Sequence, residues 1–175
     1  SPRTVHHCRR VLLTAMDQAL KWDLLKKNPV ALTRPPKIER GKMEAYNAAE
    51  TGTMLDLLRN TRMFVPALLA ALCGLRRGEI LALRWKHIDF ESTCISVRES
   101  AEQVGTEVRY KETKSGKART VALSITVVEE LKRHRVAQAE EQLKLGQRPN
   151  EDSFVVAQFD GSPLKPTSLT HEWTR

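Results

Sequence analysis

Gly74-Leu75-Arg76-Arg77-Gly78-Glu79-Ile80-Leu81-Ala82-Leu83-Arg84-Trp85-Lys86-His87-Ile88-Asp89 follows the most apolar run of the chain, Met63–Cys73. That run has no wet face, so it predicts a helix at the centre of a core, ended by Gly74, which tolerates the left-handed cap. Arg77–Leu83 then predicts a short amphipathic helix, with Ile80, Leu81 and Leu83 opposed by Arg77, Glu79 and Arg84. Arg76 arrives at the start of that helix, where a guanidinium and free backbone N–H groups meet and suit an anion. Glu79, one turn on, can hold the guanidinium by a bidentate pair. Spacing alone favours a plainer reading, a surface Arg–Glu pair at i, i+3 beside a core helix.

Toward the N-terminus, a further helix is expected at about Ala48–Asn60. Residues 31–45, with Pro35-Pro36 and a charged run from Lys37 to Glu44, have no apolar period and predict an extended linker. Before it, Val5, Cys8, Leu12, Met16, Ala19 and Trp22 recur at three- and four-residue spacing, one stripe of a helix from Thr4 to about Lys27. Asn28-Pro29 is expected to stop it, Asn28 in the left-handed cap position and Pro29 unable to continue the ladder. A lone helix cannot bury its own stripe, so partners are expected before Ser1.

Toward the C-terminus the period changes to two. Thr93–Val97, Val104–Tyr110 and Arg119–Leu123 predict three short strands, the last two joined across Lys114-Ser115-Gly116-Lys117 as a hairpin in one small antiparallel sheet. A charged helix follows at about Thr126–Leu145, ended by Gly146. Then come a short apolar run, Phe154–Ala157, a turn at Asp160-Gly161-Ser162-Pro163, and a last helix only begun at Arg175. The fold class expected is α+β, mainly helical.

Of the 175 residues 41% are hydrophobic and 29% charged, within the globular range. No stretch approaches the ~20 apolar residues that span a bilayer, and Ser1-Pro2-Arg3 does not open a secretory signal. Cys8, Cys73 and Cys94 are widely spaced and lack ligand-spaced partners, so they read as reduced thiols in a cytoplasmic protein, and no structural metal is expected. No Gly-rich phosphate loop is present, so neither a nucleotide nor any other cofactor is expected. The formal charge is +8, and residues 1–42 hold ten Lys/Arg against three acids, leaving the remainder nearly neutral. Such a concentration fits a polyanionic partner such as a nucleic acid, bound more weakly as salt rises, and a solvated basic surface is the plainer alternative. Arg9, Arg10, Lys21 and Lys26 lie off the apolar stripe and are the first candidates for contact with that partner. A second basic cluster, Arg109, Lys111, Lys114, Lys117 and Arg119, is opposed only by Glu112. On general grounds it reads as a solvated, lysine-blunted strand edge.

The first stretch resembles the catalytic-arginine box of tyrosine recombinases, the phage integrase family, whose pattern is Gly-x-Arg-x-x-Glu-(Leu/Ile)-x-x-Leu-x-Trp-x-x-(Ile/Val)-Asp. Every named position is filled. The resemblance implies that Arg76 is the first catalytic arginine, that Glu79 is its supporting acid, and that Arg77 faces solvent or DNA. Thr113–Val121 resembles the family's mobile turn between two strands, with Lys114 at the catalytic lysine's place. Lys111 and Lys117 remain alternatives for that role and, with Arg119, candidates for DNA contact. The basic first helix resembles the last helix of the family's DNA-clamping domain.

The organisation implied is residues 1–30 as that helix, 31–45 as linker, and 46–175 as the first part of a catalytic domain, a helical core with a small three-stranded antiparallel sheet. The activity implied is metal-free cutting and rejoining of DNA through a 3′-phosphotyrosine, with the tetramer on DNA as the working state.

The family's later His-x-x-Arg box and tyrosine nucleophile have no match here. His171 and Arg175 stand one residue too far apart and read as a helix surface. Tyr46 and Tyr110, the only tyrosines, both precede the lysine turn. The fragment is therefore expected not to cleave DNA by itself. His6, His7, His87 and His134 lack partners at diagnostic spacing, and Trp22 and Trp85 read as packing residues. A non-catalytic DNA-binding accessory protein on the same scaffold is the alternative from another class, and a type IB topoisomerase a third reading within the chemistry.

Overall fold

The computed structural model describes residues 1–38, 44–112 and 118–174. The chain divides into two compact units, Ser1–Ala45 and Tyr46–Arg175.

In the first unit a helix, α1, spans Pro2–Lys21, started by the Ser1 hydroxyl accepting from the Thr4 N–H. It stops short of the expected Lys27. Asp23 takes the left-handed conformation (φ 58°), and the Leu24 N–H returns to the Ala19 carbonyl at 2.9 Å, closing the helix as a Schellman cap. Asn28 does not adopt the left-handed cap expected of it. Its φ of −83° and ψ of 107° are extended, because the ring of a following proline disfavours compact conformations in the preceding residue.

Asn28 caps a 3₁₀ turn, Pro29–Leu32, instead. Its buried amide donates to the Asp17 carboxylate at 2.7 Å and the Leu13 carbonyl at 3.2 Å, and its oxygen accepts from the Val30 N–H. Arg9 reaches the same returning segment, donating to the Thr33 carbonyl at 2.9 Å and the Thr33 hydroxyl at 3.0 Å. Trp22, expected in packing, is exposed.

The second unit begins with α2, Ala48–Leu58, opened by a reciprocal capping box between Asn47 and Glu50. The all-apolar α3, Phe64–Cys73, touches α2, the short α4 (Arg77–Ala82) and the long α5 (Ile125–Lys144). Leu68 and Leu69 of α3 are almost wholly buried, together with Leu81, Val127 and Leu131. Gly74 closes α3 at φ 63°, the left-handed cap expected there.

Trp85 and Gln138 pair their polar groups inside this core. Trp85 Nε1 donates to Gln138 at 2.8 Å, and Gln138 in turn donates to the Phe154 carbonyl, tying the apolar run after Ser153 to α5. The last helix, α6 (Pro166–Trp173), packs against α4.

The β structure is a small antiparallel set with pairing different from that expected. β1 (Ile88–Asp89), β2 (Cys94–Val97) and β5 (Arg119–Ala122) form a three-stranded sheet in that order. β3 (Glu99–Val104) and β4 (Glu107–Glu112) form a separate hairpin about Gly105, whose φ is 62°. The predicted strand Val104–Tyr110 thus contains a turn, and β5 pairs with β2 rather than with the strand before it.

β3, Glu-Ser-Ala-Glu-Gln-Val, escaped the sequence reading because only Ala101 is buried, which leaves no alternation to detect. What holds it is α4 against its small side chains. A Cβ on Gly78 would lie 2.4 Å from the Ser100 hydroxyl and 2.7 Å from the Ala101 carbonyl.

Candidate active site

Arg76 stands at the N-cap of α4, its backbone extended (φ −74°, ψ 153°) between the left-handed Gly74 and the first helical turn. That geometry turns its side chain outward: the side chain is 80% exposed, whereas that of Glu79, three residues on, is 4% exposed. Glu79 accepts the Arg76 backbone N–H at 2.8 Å and one Arg76 guanidinium nitrogen at 3.2 Å.

The bidentate pair expected between these two residues is made elsewhere. Arg119, at the start of β5, donates from both terminal nitrogens to the two oxygens of Glu79, at 2.6 and 2.7 Å. The Arg119 fork holds the Glu79 carboxyl down at about 2, against the opposing effect of burial, and the Arg76 N–H and guanidinium contribute less. Two guanidinium groups around one carboxylate leave a single positive charge, and the more exposed guanidinium is Arg76.

A groove of about 910 Å³ opens beside Arg76, with Arg77, Gly78, Ser100, Gln103 and Lys111 among its walls. Arg77 donates to the Thr170 hydroxyl of α6 at 2.6 Å, and Lys111 is ion-paired with Glu102 across the β3–β4 hairpin. These two cations, expected at a DNA face, are therefore partnered within the chain, as are Arg9 and Arg119. Arg10, Lys21 and Lys26 are exposed in the first unit. Lys114 and Lys117 lie outside the described residues, as does Arg175. Among the described residues no cluster of His, Cys, Asp and Glu is arranged to hold a metal ion, and no helix is long and apolar enough to cross a membrane.

Tyr110 is stacked on Phe154, ring centroids 5.4 Å apart, with its hydroxyl buried and unpartnered among the described residues. Tyr46 is exposed and lines an apolar groove with Met54, Ala67, Leu169 and Trp173. Nothing local to either residue signals the hold of Arg119 on Glu79, a contact across forty positions of chain.

Residues 44–175 match the phage integrase family, and the chain belongs to it. It is thus a member of the tyrosine recombinases, and its fold and its relatives agree. It is 32% identical over 164 residues to a tyrosine recombinase XerC-like protein of Caldanaerobacter subterraneus subsp. tengcongensis, covering 83% of this chain and 41% of that one. It is 28% identical to the ICEBs1 integrase of Bacillus subtilis, covering 94% of this chain and 45% of that protein. The chain spans less than half the length of these relatives. Among solved structures, the Tn1549 transposon integrase in complex with a circular intermediate DNA superposes with a TM-score of 0.78 at 17% identity, over 98% of this chain and 59% of that one. Lambda integrase bound to DNA follows at 0.64 and 19%, over 95% and 53%. Both share the fold, α+β with a small antiparallel sheet.

Proposed function

We propose that this chain is the DNA-clamping helix and the first part of the catalytic domain of a site-specific recombinase that cuts and rejoins double-stranded DNA through a 3′-phosphotyrosine. The observation that carries the proposal is Arg76, an exposed guanidinium seated over a buried, ionised Glu79 at the edge of an open groove. Transfer of a phosphoryl group between tyrosine and a 5′-hydroxyl needs charge neutralised on the non-bridging oxygens and a proton delivered to the leaving oxygen. Arg76, always charged and planar, suits the first task. Lys114, a point acid, suits the second.

The chain by itself cleaves nothing in this reading, since Tyr46 and Tyr110 both precede Lys114 and neither takes the nucleophile's place in chain order. DNA is the partner, and assembly on it follows the precedent of lambda integrase, whose tetramer is known bound to a Holliday junction.

The test is made on the product of the complete open reading frame, challenged with a nicked suicide duplex. A denaturant-resistant protein–DNA adduct is expected, reduced about 10²–10⁴-fold in rate by Arg76→Ala or Lys114→Ala. DNA binding without an adduct, indifferent to both substitutions, identifies a non-catalytic accessory protein instead.

A further inference from the structure

Glu79 has two partners with opposite needs. A buried carboxylate requires a cation, and Arg76 is near enough to supply one, its guanidinium already 3.2 Å from Oε1. If Arg76 met that need alone it would fold down onto Glu79, and the pair would carry no net charge toward the groove. Arg119 removes the conflict. Its two terminal nitrogens occupy both carboxylate oxygens, at 2.6 and 2.7 Å, leaving Arg76 with one longer side-chain contact and a backbone tie.

Arg119 sits on β5, locked in register opposite Val97 of β2, so its fork approaches Glu79 from the sheet side. Among the described residues, Arg76 lines the groove and Arg119 does not. We infer that Arg119 is a positioning residue: by neutralising Glu79 from the sheet side it keeps the Arg76 guanidinium free and outward for a DNA phosphate, rather than contacting DNA itself. This rests on the reading of Arg76 as the phosphate-binding arginine.

The two roles of Arg119 separate in a substitution cycle. Affinity of the 175-residue chain for a short fluorescent duplex is measured by anisotropy at low salt, with folding checked by circular dichroism. Arg76→Gln is expected to weaken binding about tenfold, the scale of one charged hydrogen bond. Arg119→Gln is expected to do the same, because Arg76 then collapses onto Glu79. Adding Glu79→Gln to Arg119→Gln removes the trap, and affinity is expected to return to within about twofold of the unaltered chain.

A direct DNA contact by Arg119 predicts no recovery in that double variant, and such a result overturns the inference, as does unchanged binding in R119Q. If R76Q binds as tightly as the unaltered chain, the phosphate reading of Arg76 falls, and the inference about Arg119 with it. Should R119Q fail to fold, R119K replaces it. An ammonium covers one carboxylate oxygen and leaves the other to Arg76, so binding is expected to weaken by a smaller factor and to recover with E79Q. Unchanged affinity in R119K, or no recovery, overturns the inference equally.

Discussion

Glu79 keeps its negative charge inside the protein because four donors from two arginines converge on it, and that charge makes it sensitive to acid. Its carboxyl is held at about 2, below the roughly 4.3 expected of a glutamate in an unfolded chain. A depressed pKa in the folded state contributes stability that is fully present above the unfolded value and is lost as pH falls through the folded one. The shift corresponds to about 2–3 kcal/mol, drawn down between about pH 5 and pH 2. Glu79→Gln, which leaves Arg119 without its anion, is expected to be clearly less stable than the unaltered chain at neutral pH, with the gap closing as the pH approaches 2. Urea unfolding across that range measures it, and a gap that stays constant with pH would show that the ion pair is not its source.

Among the elements, α4 and β3 depend on each other. The six-residue helix is too short to stand alone, and β3 has almost no apolar face of its own. They hold because Gly78 lets the helix backbone lie against Ser100 and Ala101. Alanine there would gain about 1 kcal/mol of helix propensity. Its Cβ would nevertheless meet the Ala101 carbonyl oxygen at 2.7 Å, a backbone atom that cannot rotate aside. The clash is expected to win. Gly78→Ala should destabilise the chain by about 1–3 kcal/mol by denaturant titration, and should weaken DNA binding by displacing Arg76. A neutral or stabilised variant would mean that the close approach is not needed.

Over the whole molecule the basic excess and Arg76 fall in different units, 1–45 and 46–175. Arg9 is committed to the returning segment at Thr33, so its removal is expected to cost stability before affinity. Arg10, Lys21 and Lys26 are exposed and carry the expectation of phosphate binding. Neutralising these three with glutamine should lower the slope of log affinity against log salt by up to about 3, near 0.9 for each phosphate that is no longer neutralised. Unchanged affinity and slope would remove the first unit from DNA binding.

By itself the sequence determined α2 to α5, because their apolar patterns and caps are local. Gly74 at the end of α3, the capping box of α2 and the glycine after α5 all act within one turn of chain. It also determined that Arg76 and Glu79 share one helical turn, since three residues of helix fix that distance. Only the tertiary structure decided which cation Glu79 takes, because the Arg119 fork arrives from a strand whose place depends on pairing with β2. The β3–β4 hairpin was decided there too. With one small buried side chain, β3 exists through Gly78 and the register of its partner, and neither leaves a periodic trace in the residues that form it.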